Sequence, residues 1–322
     1  MATVAEREIE SNGLSFETLL AGPEDGEVVM LLHGYPQSAA SWRETMEWLA
    51  KRGMRSIAPN LRGYSPNANP AAASAYSMDQ LVDDVIGIVD ADGVDRFHLV
   101  GHDWGGGLAW AVAGTHPSRV LSLTVISTPH GAALLEAMRT STQSLRSFYM
   151  RFFRIPRLPE AMLNAGNLVP AGLSMRLFGL PRASWQRDRR QLQRAGGFHG
   201  PLNWYRGALG GGVRPHRITV PTMYIWGRRD PFLGRRAAEL TAKWVSGPYR
   251  FEEINAGHWI VDRNAVELQR LLGEHLDAHR AAAPSTAGTA ASKPKRAAAP
   301  RKPAATPKRA TRAKPKPGGD AG

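Results

Sequence analysis

Hydrophobic and polar positions alternate between residues 4 and 20 about Asn12-Gly13. Asn-Gly between alternating segments is a strong two-residue hairpin signal, so the pattern predicts two antiparallel strands at the start of the chain. Val28–Leu32 is an unbroken apolar run, as in a strand covered on both faces. The spacing then predicts a helix over 41–49, a short strand over 55–58 and an amphipathic helix over 78–89, with Leu81, Val82, Val85, Ile88 and Val89 on one face. Phe97, Leu99 and Val100 lead into a glycine-rich turn and a helix-compatible segment at 108–112. Further strands are predicted over 120–126, 220–226 and 250–254, and a last helix over 265–276. Strands alternating with helices imply a mostly parallel sheet. From about 131 to 213 the strand pattern gives way to Arg, aromatics, Met and helix breaks, which predicts a helical insertion. The expected organisation is an α/β core in two parts (1–130 and 214–280), a helical cap (131–213) and a tail (281–322).

Composition changes this picture mainly at the tail. The chain carries a net charge of +13, but ten Lys/Arg and a single acid lie from residue 281 onward, so +9 of that charge belongs to the tail. The same segment holds seven Pro, no aromatic residue and no aliphatic larger than Ala. It cannot bury enough apolar surface to offset its ordering entropy and is expected to be disordered. Its Lys/Pro/Ala composition is similar to that of histone arms, which opens a binding-module reading: docking on DNA, another polyanion or an anionic membrane surface by charge alone. A solubilising tail without a partner is the other reading. The absence of cysteine excludes disulfides and thiolate metal sites. The polar, acidic N-terminus lacks the basic start and apolar core of a signal peptide, and no apolar run is long enough to span a bilayer. The expectation is a soluble, cytoplasmic protein.

The candidate chemistry centres on the turn at 101–106, GHDWGG. A residue at the tip of a strand that bends sharply into a helix is strained, and its neighbours two and three positions away must be nearly free of side chain. Gly101, Gly105 and Gly106 meet that demand about Asp103. A carboxylate is ionised at neutral pH and needs no base to become a nucleophile. Its attack on an alkyl carbon gives an ester that water must then cleave. The stretch also suits a plain strand-to-helix turn with an N-cap Asp. Water activation asks for a base, and His258 follows the last predicted strand. Asp230, after the strand at 220–226, is placed to orient that imidazole, although it equally suits an ordinary turn before Pro231. His33-Gly34-Tyr35-Pro36 closes the run Val28–Leu32. Backbone N–H groups of Tyr35 and Trp104 are the expected oxyanion donors to the Asp103 carbonyl oxygen, and Tyr35-Pro36 is a candidate cis peptide.

GHDWGG at 101–106, HGYP at 33–36, Asp230 and His258 occur in an order that resembles the epoxide hydrolases of the α/β-hydrolase superfamily, over roughly residues 5–280. The resemblance implies an α/β-hydrolase fold with a helical cap. It also implies hydrolysis of a small apolar epoxide by water to a vicinal diol, with no cofactor and no metal. It further implies a lid tyrosine that hydrogen-bonds the epoxide oxygen, and PLNWYRGAL at 201–209 puts Tyr205 in that role. Judged alone, Tyr205 reads as a packing residue on a helix begun by Pro201. Many members carry a second lid tyrosine. The matching stretch here, 148–160, has Phe152 where that residue is expected and Tyr149 one turn earlier. Haloalkane dehalogenases are the alternative: they share the Asp nucleophile and would use Trp104 as a halide donor, but they commonly place Asn where Tyr35 stands.

Overall fold

The alternation about Asn12-Gly13 folds into a hairpin of β1 (Ala5–Ser11) and β2 (Leu14–Ala21). Asn12 and Gly13 both take positive φ, +51° and +73°, as the tight two-residue turn between twisted strands requires. Six further strands follow: β3 (Val28–Leu32), β4 (Arg55–Pro59), β5 (Phe97–His102), β6 (Val120–Ile126), β7 (Thr222–Gly227) and β8 (Tyr249–Ile254). They complete an eight-stranded sheet in the order β1-β2-β4-β3-β5-β6-β7-β8, antiparallel where β2 meets β1 and β4 and parallel from β4 to β8. The strand expected from residue 220 begins at Thr222, since Pro221 has no N–H to give a neighbouring strand. This computed structural model describes residues 3–208 and 216–281. The readings of 209–213 as the end of the cap and of 282–322 as a disordered basic tail lie outside the described residues.

Helices cover both faces of the sheet. These are α1 (Arg43–Lys51), α2 (Met78–Ala91) and α3 (Trp104–Thr115), and after the insertion α10 (Arg235–Leu240), α11 (Ile260–Arg263) and α12 (Ala265–Ala278). The insertion supplies α4 (Gly131–Thr140), α5 (Gln143–Arg146), α6 (Phe148–Phe153), α7 (Leu158–Leu177, broken at 165–168), α8 (Arg182–Arg194) and α9 (His199–Gly207). Side chains of β3 alternate between the faces: Val29 and Leu31 pack with Met46 and Leu49 of α1 and Leu268 and Leu272 of α12, whereas Met30 and Leu32 pack with Val85 of α2 and Leu108 of α3. Helix α3 begins at Trp104, earlier than the apolar pattern suggested, because three successive glycines mask its first turn. Helix α4 lies beside the core, with Ala133 and Ala137 against Ala237 and Leu240 of α10.

A buried ion pair joins the loop after β4 to α2 and underlies the contact that holds α9. Arg62 donates from Nε and Nη2 to the two carboxylate oxygens of Asp84 on α2, at 2.7 and 2.6 Å, and its own carbonyl accepts the indole N–H of Trp204 on α9 at 2.8 Å. Both charged side chains are almost fully buried. The outer strand β1 presents Glu6, Arg7, Glu8 and Glu10 to solvent. No helix among the described residues is long and apolar enough to cross a membrane.

Candidate active site

The carboxyl ends of β3, β5, β7 and β8 bring Tyr35, Asp103, Asp230 and His258 together. At the tip of β5 Asp103 has φ +51° and ψ −121°, a left-handed conformation that costs a non-glycine residue free energy. Tight packing enforces it. A Cβ on Gly101 would stand 2.2 Å from the Gly105 carbonyl oxygen, one on Gly105 2.2 Å from that of Leu32, and one on Gly106 2.9 Å from Val125 Cγ1. Gly34, one residue before Tyr35, is equally constrained: its Cβ would fall 2.3 Å from Cβ of Asp103. The Asp103 side chain does not cap α3, which excludes the plain N-cap reading of this turn.

The carboxylate is held from two sides. The Tyr35 N–H donates to Oδ1 at 2.8 Å, and His258 Nε2 stands 3.3 Å from Oδ2. The Tyr35-Pro36 peptide is cis. Trp104 N–H, at the first position of α3, has no acceptor within its own helix. On its other side His258 donates from Nδ1 to Oδ2 of Asp230 at 2.7 Å. Asp230 uses Oδ1 to accept the N–H groups of Phe232 and Leu233, at 2.8 and 3.0 Å. The turn reading of Asp230 and its pairing with histidine thus hold together: the turn fixes the carboxylate that faces the imidazole.

Electrostatics follow from this layout. Burial opposes charge on His258, but Asp230 and Asp103 on either side outweigh it and lift the imidazole to a pKa of about 10. Burial would raise the Asp103 pKa, and the hydrogen bond and charge of His258 with the Tyr35 N–H reverse that, leaving it below the ordinary carboxylate value. The resting site is therefore an imidazolium between two carboxylates.

Tyr205 is buried against the residues that flank this site. Its ring makes edge contacts with Trp104 at 5.0 Å, Tyr35 at 5.5 Å and Phe153 at 5.1 Å. Tyr149 of α6 stands 6.1 Å from it, ring to ring, and lines the same cavity as Asp103, whereas Phe152 packs on Phe153 and does not line that cavity. Burial pushes both phenols well above their ordinary pKa, helped by the Asp103 charge at Tyr149 and by Tyr149 and then Asp103 at Tyr205, so both are neutral donors.

Sequence reasoning missed the supports behind the histidine. His102 Nε2 and Ser127 Oγ both donate to the His258 carbonyl, each at 2.9 Å. His33 of the HGYP segment is structural: its Nε2 accepts the Leu61 N–H at 3.0 Å, and burial lowers its pKa to about 4. Among the described residues no cluster of His, Asp and Glu is arranged to hold a metal ion.

The model of the alpha/beta hydrolase fold matches residues 27–265, so the chain belongs to that family of enzymes, on its epoxide hydrolase branch. It is a hydrolase. It is 32% identical over 321 residues to epoxide hydrolase A of Mycobacterium tuberculosis, covering 86% of this chain and 98% of that one. It is 33% identical over 264 residues to human epoxide hydrolase 4, covering 78% of this chain and 73% of the relative. Among solved structures, epoxide hydrolase A of Mycobacterium thermoresistibile superposes with a TM-score of 0.76 at 28% identity, over 86% of this chain and 99% of that one.

Proposed function

We propose that this chain hydrolyses epoxides to vicinal diols through a covalent ester on Asp103, in a reaction that needs only water besides the substrate. The observation that carries the reading is the nucleophile's setting. One oxygen of the carboxylate is fixed by a backbone N–H, the other lies next to an imidazolium, and two neutral phenols stand close by.

Oδ2 of Asp103 attacks an epoxide carbon, the ring C–O bond breaks, and the departing oxygen takes a proton from a phenol. Tyr205 is that donor, and Tyr149, which fills the place that Phe152 leaves vacant, shares the load. Forming the ester removes one of the two negative charges that hold His258 protonated, so its pKa falls; the imidazolium proton passes to the phenolate left by ring opening, and the neutral imidazole is free to accept another. His258, oriented by Asp230, then takes a proton from water as the water oxygen adds to the ester carbonyl. Oδ1 becomes the oxyanion and is met by the N–H groups of Tyr35 and Trp104, each such donor being worth roughly 10²–10³ in rate. Collapse breaks the bond from the Asp103 carbonyl carbon to the ester oxygen, the hydroxyl proton of the carboxyl group so formed passes to the departing oxygen, and the diol leaves the carboxylate beside the imidazolium as at the start.

Phenols suit an alkoxide leaving group, which ends the step protonated. A halide calls for N–H donors and gains no proton, which favours epoxide opening over dehalogenation. Single-turnover reaction in ¹⁸O-water, followed by digestion and mass spectrometry, is expected to place label in the peptide carrying Asp103. An active enzyme with no label there refutes the covalent route.

A further inference from the structure

The run Gly105-Gly106-Gly107 contains one glycine that the bend does not explain. A Cβ on Gly105 or Gly106 meets atoms at 2.2 or 2.9 Å, but a Cβ on Gly107 would find only Trp104 Cε3 at 3.9 Å. Gly107 has ordinary helical backbone within α3, where glycine is among the poorest helix formers. What the missing side chain leaves behind is space: Gly107 lines the cavity of about 370 Å³ that begins at Asp103.

That cavity follows one face of α3. Trp104, Gly107, Ala111 and Thr115 line it at helical spacing, so it extends about 16 Å along the axis at 1.5 Å per residue. Val82 of α2, Leu134 of α4 and Met150 of α6 contribute apolar walls, and the far end lies at exposed Thr115, the last residue of α3. No Lys or Arg lines it among the described residues, and the two acids that do, Asp79 and Asp103, would repel an anion.

Resting on the epoxide reading above, we propose that Gly107 is a specificity-determining residue. It opens the groove so that a neutral, unbranched apolar chain lies along α3 with its epoxide at Asp103, and the preferred substrates are long-chain uncharged epoxides.

The test is a series of unbranched terminal epoxides from four to fourteen carbons, assayed on the wild type and on Gly107→Met. Methionine is a better helix former than glycine, and a thermal melt checks that the variant is folded. In the wild type kcat/KM is expected to rise up to about fourfold per added methylene until the chain reaches Thr115, then level off. In Gly107→Met the ratio of the twelve-carbon to the four-carbon substrate is expected to fall at least tenfold. A flat wild-type series, or the same slope in a folded variant, overturns the proposal. So does a carboxylate-ended twelve-carbon epoxide that is turned over as well as its neutral counterpart. If no epoxide gives diol, the epoxide reading fails by itself, and calorimetric binding of the matching diols decides on the groove. Affinity that climbs with length in the wild type and not in the variant supports it, and length-independent affinity sinks it.

Discussion

His258 draws its charge from two neighbours, and only one of them changes during the proposed reaction. Replacing Asp103 by Asn copies the charge of the ester without the substrate. The imidazole of Asp103→Asn is therefore expected to titrate well below the value of about 10 that the two carboxylates sustain in the resting site, as read from its NMR signals. An unchanged titration would mean that Asp230 alone holds the proton. The two phenols make a second prediction at this scale. Tyr149→Phe and Tyr205→Phe are each expected to slow ester formation by about 10²-fold, and the double variant far more, as measured by rapid quench. If Tyr149→Phe alone has no effect, Tyr205 works unaided. That Asp103, His258 and Asp230 meet was legible because the motifs that carry them keep their order along the chain, each after a strand of the sheet. Tyr149 was harder to read: 148–153 is nearly all aromatic, and sequence alone does not show which aromatic faces the cavity. The bonds that hold the His258 carbonyl were not legible either, since His102 and Ser127 meet it only through the sheet.

Among the elements, strands and helices of the core follow from apolar periodicity, and deviations have local causes. Pro221 delays β7, and glycines hide the start of α3. The helical nature of the insertion was readable, but not that α4 packs beside the core, because an Ala-rich face fits either location. Helix α9, which carries Tyr205, hangs on a contact no pattern announces: the Trp204 indole on the carbonyl of Arg62, whose guanidinium is spent on Asp84. Removing one partner of a buried pair strands the other charge. Asp84→Ala is therefore expected to cost about 3–5 kcal/mol in urea unfolding. It should also lower kcat/KM for whatever protein still folds, since the support of α9 is loosened. A cost below about 1 kcal/mol would mean that Arg62 finds water instead.

For the whole molecule, every residue assigned to the site lies in the unit Met1–Ala281. Ending the chain after Ala281 is expected to leave the melting temperature and epoxide turnover unchanged while removing most of the positive charge. A change in turnover larger than about twofold would give the last residues a part in the reaction. The sheet has a further consequence at its two borders. β1 turns Glu6, Arg7, Glu8 and Glu10 outward, and β8 carries Arg250, Glu252 and Glu253. Unpaired strand margins invite a second chain to add on, and charge along them discourages it. Charge at both margins thereby works against fibre-like growth by strand addition.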